Sequence, residues 1–267
     1  MRKAVILARG LGRRMRAVSP GDHLNASQEA IAETGLKAMM PFRRPFLDYS
    51  LSALADAGFE EACLVIGTEH DVVRTYYTKA PPQRIRVCFA VQPEPLGTAN
   101  AVLAAEEFAR TEHFLTINSD NYYPVSALRT LRSMEEPAVA LFPESSLIAG
   151  GIPPERILRF AICSVSTDGY LSGIVEKPTD GMQGTDRASK LVSVNSWHFP
   201  PSIFEACRRT SVSPRGEYEL PTAVETAMRD FDVRFRVVVC GDPVLDLSSR
   251  ADIAIVAQKL TGIIANP

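Results

Sequence analysis

The first half of the chain alternates short apolar runs with amphipathic stretches, at a spacing that few architectures can use. Residues 4–8, 62–66, 85–91 and 113–117 read as strands, the first being the unbroken run Ala4-Val5-Ile6-Leu7-Ala8. Between them, residues 46–57 place Phe46, Leu47, Leu51, Leu54 and Ala55 at helical spacing, with Gly58 as the stop. Residues 70–77 and the alanine-rich 98–109 read as two further helices. Strands apolar throughout are buried on both faces, and helical crossovers join parallel neighbours. The pattern therefore predicts an α/β, Rossmann-like fold: a mainly parallel, mixed central sheet with helices on both faces. Ligands of such sheets sit outside the carboxyl ends of the strands. Three of the four strands aim polar residues there: Arg9-Gly10, Gln92 and Asn118-Ser119-Asp120.

The second half is less regular. Residues 157–165 and 170–175 read as a strand pair around Thr167-Asp168-Gly169, and residues 179–187 as a polar loop. Residues 191–199 alternate as a strand, 201–208 and 219–228 read as helices, and 233–239 as a last strand. There is no Ser/Gly-rich linker and no internal repeat. A single domain over 1–267 is the simplest organisation, with two lobes over 1–121 and 122–267. Residues 19–35, with a helix near 27–33, are an unusual length to find between the first loop and Lys37. They fit a lid, an oligomer contact or an inert insertion.

Charge removes several classes of function. Lys plus Arg number 29 against 31 Asp plus Glu, a formal charge of −2. That balance supports no nucleic-acid or anionic-membrane surface. The five cysteines and four histidines are scattered without metal-ligand spacing, as expected for buried, reduced thiols and no zinc site. No apolar run approaches a membrane span, and arginines follow residues 4–8 too soon for a signal peptide, so the expected location is cytoplasmic.

Four segments carry chemistry. Gly10-Leu11-Gly12-Arg13-Arg14-Met15-Arg16 follows the first strand: glycines admit a phosphate close to the backbone, and arginine donates a fixed charged fork. It is neither a dinucleotide fingerprint nor a Walker A sequence, and by itself is equally a surface turn. Lys37-Ala38-Met39-Met40-Pro41 puts a lysine before an apolar crossing. Gln92-Pro93-Glu94-Pro95-Leu96-Gly97-Thr98-Ala99 holds an amide on a proline-stiffened connection, where it suits a nucleobase edge; the plain alternative is a connection in which Thr98 caps a helix. Asp120, at a strand end, and Asp246, inside the apolar run Val244-Leu245-Asp246-Leu247, offer two carboxylates for Mg²⁺. Asp120 equally suits a turn or a helix cap.

Taken in order, these segments resemble the sugar-1-phosphate nucleotidyltransferases, the family of glucose-1-phosphate uridylyl- and thymidylyltransferases. Leu7-Ala8-Arg9-Gly10-Leu11-Gly12-Arg13-Arg14-Met15 resembles the family's Leu-Ala-x-Gly-x-Gly-x-Arg-Met loop. Lys37 to Pro41 resembles Lys-Pro-Met-Leu-Pro, and Gln92 to Ala99 resembles Gln-Pro-x-Pro-x-Gly-Thr-Ala. Asn118-Ser119-Asp120-Asn121 stands where the family has Gly-Asp-Asn. Glu176-Lys177-Pro178, Val194-Asn195-Ser196, Gly216-Glu217-Tyr218-Glu219-Leu220 and Leu245-Asp246 are similar to later landmarks.

The resemblance implies the nucleotide-diphospho-sugar transferase type of fold. It also implies a Mg²⁺-dependent condensation of a nucleoside triphosphate, UTP or dTTP foremost, with a sugar 1-phosphate, releasing pyrophosphate. By it, Arg14, Lys37 and Lys177 serve catalysis, with Arg14 and Lys37 on the triphosphate. Leu7, Ala8, Gly10, Gly12, Gln92, Gly97 and Thr98 hold the nucleotide. Glu176, Lys177 and Asn195 hold the sugar phosphate, and Asp120 and Asp246 the metal. A homo-oligomer is compatible with it. The departures are Arg9 for a glycine, Arg13 for a small hydroxyl residue, Ser119 for a glycine and Pro221-Thr222 where many members are acidic. They bear on the choice of base and sugar, and they motivate an alternative, a catalytically inactive relative that binds nucleotide sugars in a regulatory role. A glycosyltransferase on a similar sheet is a weaker third reading.

Overall fold

A computed structural model describes residues 1–18, 24–175 and 191–267. The expectations for Glu176, Lys177 and residues 179–187 lie outside the described residues. The first half forms β1 (Lys3–Leu7), α1 (Arg13–Arg16), α2 (Ala26–Thr34), a 3₁₀ turn (Lys37–Met39), α3 (Phe46–Asp56), β2 (Glu61–Ile66), α4 (Asp71–Lys79), β3 (Arg86–Val91), α5 (Thr98–Leu103), α6 (Glu106–Ala109) and β4 (Phe114–Asn118). Next come β5 (Asn121–Tyr122), α7 (Val125–Ser133), β6 (Ala138–Pro143), α8 (Glu144–Ala149), α9 (Pro154–Ile157), β7 (Ala161–Val165) and β8 (Leu171–Val175). The chain closes with β9 (Leu191–Phe199), α10 (Ile203–Arg209), α11 (Leu220–Asp230), β10 (Arg236–Val239), β11 (Leu245–Asp246) and α12 (Asp252–Lys259).

The main sheet runs β10-β6-β9-β4-β1-β2-β3, with β7 joined to β9 and β8 to β7. β1 pairs in parallel with β2 and β4, and β2 in parallel with β3, while β9 runs antiparallel between β4 and β6. This is the mixed, mostly parallel sheet that the alternation predicted. Because β9 comes from the second half of the sequence, both halves build one sheet.

Both faces are covered. Ala4 and Ile6 of β1 turn to one side and pack with Leu47, Leu51 and Leu54 of α3, Val73 of α4 and Leu128 and Leu131 of α7. Val5 and Leu7 turn to the other, onto Val102 of α5, Phe204 of α10 and Val224 of α11. Period-two alternation thus feeds two cores, so β1 from Ala4 to Leu7 shows no polar residue to water. Each fully buried Ile or Leu contributes about 1.5–3 kcal/mol.

Two expectations need correction. Residues 157–165 do not form one strand: Pro154 opens the helical turn α9, and β7 begins only at Ala161. Proline is pre-organised for the first turn of a helix, which takes this stretch out of the ladder. Residues 98–109 break into α5 and α6 at Ala104-Ala105, where Ala105 leaves helical geometry. Several elements between 122 and 156, β6 among them, carry no expectation from the sequence. The 19–35 stretch yields α2, whose Asn25 and Gln28 form a capping box. Its Ala32 packs with Met15, Phe46, Tyr49 and Ile253 in a third core cluster, and its Glu29 meets Arg250 at 2.6 Å. Among the described residues, no helix is long and apolar enough to cross a membrane.

His198 of β9 is 1% exposed, and its Nε2 lies 2.8 Å from His113 Nδ1, one ring donating to the other. Burial, reinforced by His113, pushes the His198 imidazole down to about 4. Below about pH 6.5 the unfolded chain binds a proton there that the folded chain refuses. Stability therefore falls as pH drops from about 6.5 towards 4, by about 3 kcal/mol from this group. Denaturant midpoints at pH 7 and pH 4.5 test this: His198→Gln shows a shallower decline than the parent chain.

Candidate active site

The parallel strands end in register. Leu7 lies opposite Val65 on one side and Asn118 on the other, and the amides of Ala8, Ser119 and Gln92 continue the ladder onto Val65, Leu7 and Ile66. The loops that follow therefore start at one level and enclose a cleft of about 390 Å³. Leu7, Ala8, Gly10, Lys37, Gln92, Gly97, Thr98, Asp120 and Asn195 line it together. Arg9, Leu11, Arg13, Gly35, Leu36, Ala38, His70, Pro95, Ala101, Asn118, Ser119 and Glu217 complete the wall.

At one end, Gln92 is 3% exposed. Its Nε2 donates to the Gly97 carbonyl at 3.0 Å and to Asn100 Oδ1 at 2.8 Å. Gly97 O can only accept, which fixes the amide's orientation. Both Nε2 hydrogens are thereby committed, and Oε1 is left as an acceptor. Gly97 has φ 111°, and a Cβ there would stand 2.5 Å from the Tyr218 carbonyl. The strand-to-helix connection is thus locked on the 218–220 segment, and Thr98 Oγ1 accepts from Leu220 N at 2.9 Å instead of capping its own helix.

At the other end, Lys37, set by the 3₁₀ turn, makes an ion pair with Asp120. Asp120 follows β4, and its carbonyl takes the Leu247 amide at 2.8 Å. β5 pairs antiparallel with β11, setting Asn121 opposite Asp246, and Asn121 Nδ2 donates to Asp246 Oδ1 at 3.0 Å. The two aspartates, 126 positions apart in the sequence, are thus brought together by a two-residue ribbon. Burial, and then the charge of Asp120, hold the Asp246 carboxyl above the usual range. Arg156 answers that charge: its guanidinium bridges Asp246 at 2.8 Å and Asp252 at 2.9 Å. Asn195 adopts φ 58° inside β9, where the pairing with β6 shifts register. Asparagine tolerates this left-handed geometry better than most residues, and such outliers concentrate at functional sites.

Three expected residues stand outside the cleft wall. Gly12 has φ 59° and packs backbone to backbone on Gly35, where a Cβ would come within 2.1 Å of the carbonyl oxygen. Asp246 is enclosed beside Asn121 and Arg156. Arg14 faces a second cavity of about 350 Å³ with Arg156, Arg159 and Arg250, while its neighbour Arg13 lines the first. Glu176 and Lys177 lie outside the described residues. His70 and Arg156 escaped the sequence reading. His70 lies in a stretch predicted only as helix, and Arg156 falls just before the predicted strand, where the sequence pattern gives no expectation.

A family model described as nucleotidyl transferase matches residues 3–241. A glucose-1-phosphate thymidylyltransferase of Streptomyces griseus is 27% identical over 84% of this chain and 56% of its own length. The UTP–glucose-1-phosphate uridylyltransferase AglF of Haloferax volcanii is 25% identical over 85% of this chain and 84% of its own length. The chain thus spans little more than half of the first relative and most of the second. Among solved structures, a UDP-glucose pyrophosphorylase complexed with UDP-glucose superposes with TM-score 0.76 at 18% identity, covering 98% of each chain. With the model matched over 3–241 and a sheet edge that gathers the loop after β1, Lys37, Gln92 and Asp120, the chain belongs to the nucleotidyl transferase family.

Proposed function

We propose that the chain condenses a nucleoside triphosphate, UTP or dTTP foremost, with a sugar 1-phosphate such as glucose 1-phosphate, giving a nucleotide sugar and pyrophosphate. One observation carries the reading: a single cleft joins an amide suited to a base edge, Gln92, to a cation–carboxylate pair suited to phosphates, Lys37 and Asp120. The loop after β1 lies between them and offers backbone amides.

The chemistry asks little of a base. An oxygen of the sugar 1-phosphate, already anionic near neutral pH, attacks the α-phosphorus in line; the bond to the bridging oxygen breaks and pyrophosphate leaves with the electron pair. The barrier is alignment of two anions and neutralisation of their charge. Lys37 and Arg13 stand at the cleft for that. Arg14, exposed and without an ion-pair partner among the described residues, is free to turn toward the same phosphates. His70 lines the cleft, yet burial lowers its pKa, which keeps it neutral. Asn195 reaches the cleft from β9 and suits a sugar hydroxyl; Glu176 and Lys177 keep the sugar-phosphate roles that the family resemblance gives them.

The donor set fits Mg²⁺. Among the described residues no cluster of three or more His, Cys, Asp or Glu is poised for a metal. Magnesium in nucleotide sites commonly takes one or two carboxylates, the rest of its shell being phosphate and water. Asp120 and Asp246 would hold it, where it would offset charge on the triphosphate. Each carboxylate already faces a protein cation, Lys37 or Arg156, but Arg156 is shared with Asp252, so the pair is only partly neutralised before any metal arrives.

Pyrophosphate release, measured over a matrix of triphosphates and sugar 1-phosphates with Mg²⁺, tests the reading: release appears only when both substrates are present. Ligand-induced stabilisation without turnover across the whole matrix would instead mark a regulatory binder. Asp120→Asn lowers kcat by about a hundredfold or more, the scale of losing a group that acts on transition-state charge, and an unchanged rate sinks the metal assignment. Gly97→Ala, forced against Tyr218, costs about 1–3 kcal/mol of stability and raises KM for the triphosphate more than for the sugar phosphate.

A further inference from the structure

Arg9 stands on the cleft wall where the resembled families carry a glycine, and its side chain is only 6% exposed. Two of its three nitrogens are committed. Nε donates to the Gln92 carbonyl at 2.6 Å, and Nη2 donates to the Pro93 carbonyl at 3.0 Å and to Glu69 Oε2 at 3.3 Å. The third, Nη1, is buried with no partner among the described residues. A buried charged donor left unmatched is costly, so a partner in the working state is expected. Its bond to the Gln92 backbone puts the guanidinium at the amide-bearing end of the cleft, apart from the Lys37–Asp120 pair at the other end.

Gln92 supplies the complement. Nε2 is spent on Gly97 and Asn100, so Oε1 can only accept. The cleft wall thus carries, on two residues joined through the Gln92 backbone carbonyl, one fixed acceptor and one donor that cannot be deprotonated. We propose that this pair selects bases presenting a ring N–H beside an exocyclic oxygen, as uracil, thymine and guanine do. Gln92 Oε1 accepts the ring N–H and Arg9 Nη1 donates to the oxygen. Cytosine and adenine present the reverse, a bare ring nitrogen beside an amino group, which sets acceptor against acceptor and N–H against N–H. Arg9 is on this view a specificity-determining residue of the nucleotide site, and the proposal rests on the reading of that site given above.

Calorimetric Kd values for UTP and CTP, on the parent chain and on Arg9→Met and Arg9→Lys, test it without requiring turnover. The parent chain binds UTP about tenfold to a hundredfold more tightly than CTP, the span expected for one hydrogen bond from a charged donor. Arg9→Met lowers the ratio severalfold, mainly by weakening UTP, and the preference that remains is the one Gln92 Oε1 supplies. Arg9→Lys, with its charge kept but its fork lost, lies between. If Arg9 only ties β1 to the Gln92 connection, Arg9→Met weakens both nucleotides equally and the ratio stands; that result overturns the assignment and leaves the nucleotide reading intact. A parent chain that binds both nucleotides equally also overturns the assignment. A parent chain that binds no triphosphate overturns the nucleotide reading and the Arg9 assignment with it.

Discussion

The in-register parallel ladder of β4, β1, β2 and β3 is the constraint on which the rest of the molecule depends. Leu7, Val65 and Asn118 sit level on neighbouring strands, so the segments that leave them are delivered to one edge. A shift of one residue in β1 would exchange Ile6 for Leu7 between two different cores. It would also carry the glycine loop away from Gln92 and Asp120. The packing that stabilises the sheet is therefore the same packing that aligns the cleft.

Charge at this cleft and behind its wall is organised in small ion-paired groups. Lys37 answers Asp120, and Arg156 answers both Asp246 and Asp252. Asp252 in turn accepts the amides of Ser248 and Ser249 at 3.0 and 2.6 Å, which ties the start of α12 to the ribbon that carries Asp246. An unpaired carboxylate as enclosed as Asp246 would be expensive; distributing its charge over Arg156 and Asn121 allows it to stay beside Asp120. The residues flanking the phosphate end thus form one connected scaffold, and a substrate's charge has to enter a set of ion pairs already made.

The strands of the first half were legible because they are short, apolar and separated by amphipathic helices, and each is found within a residue or two of where the pattern placed it. Gln92 and Asp120 were legible for the same reason, as polar residues at the carboxyl ends of such strands. The α9 turn was not, since Ile157 to Val165 is apolar enough to pass for strand and only the proline at its start argues otherwise. Arg156 was hidden with it. A lone arginine carries no periodic signal, and its partners Asp246 and Asp252 lie 90 and 96 residues further on.

By itself, then, the sequence determined the α/β class, the level at which the loops leave the sheet and the residue types placed there, because these follow from local periodicity and strand ends. Tertiary structure alone decided which of them meet. It put Arg13 at the cleft and Arg14 at a second cavity, paired Asp120 with Lys37, and brought Asp246 to Asp120 across the β5–β11 ribbon. It also left Arg9 Nη1, among the described residues, without a partner while Nε holds the Gln92 carbonyl. Such pairings depend on the direction of side chains from distant segments, which packing of the whole chain sets and local spacing does not.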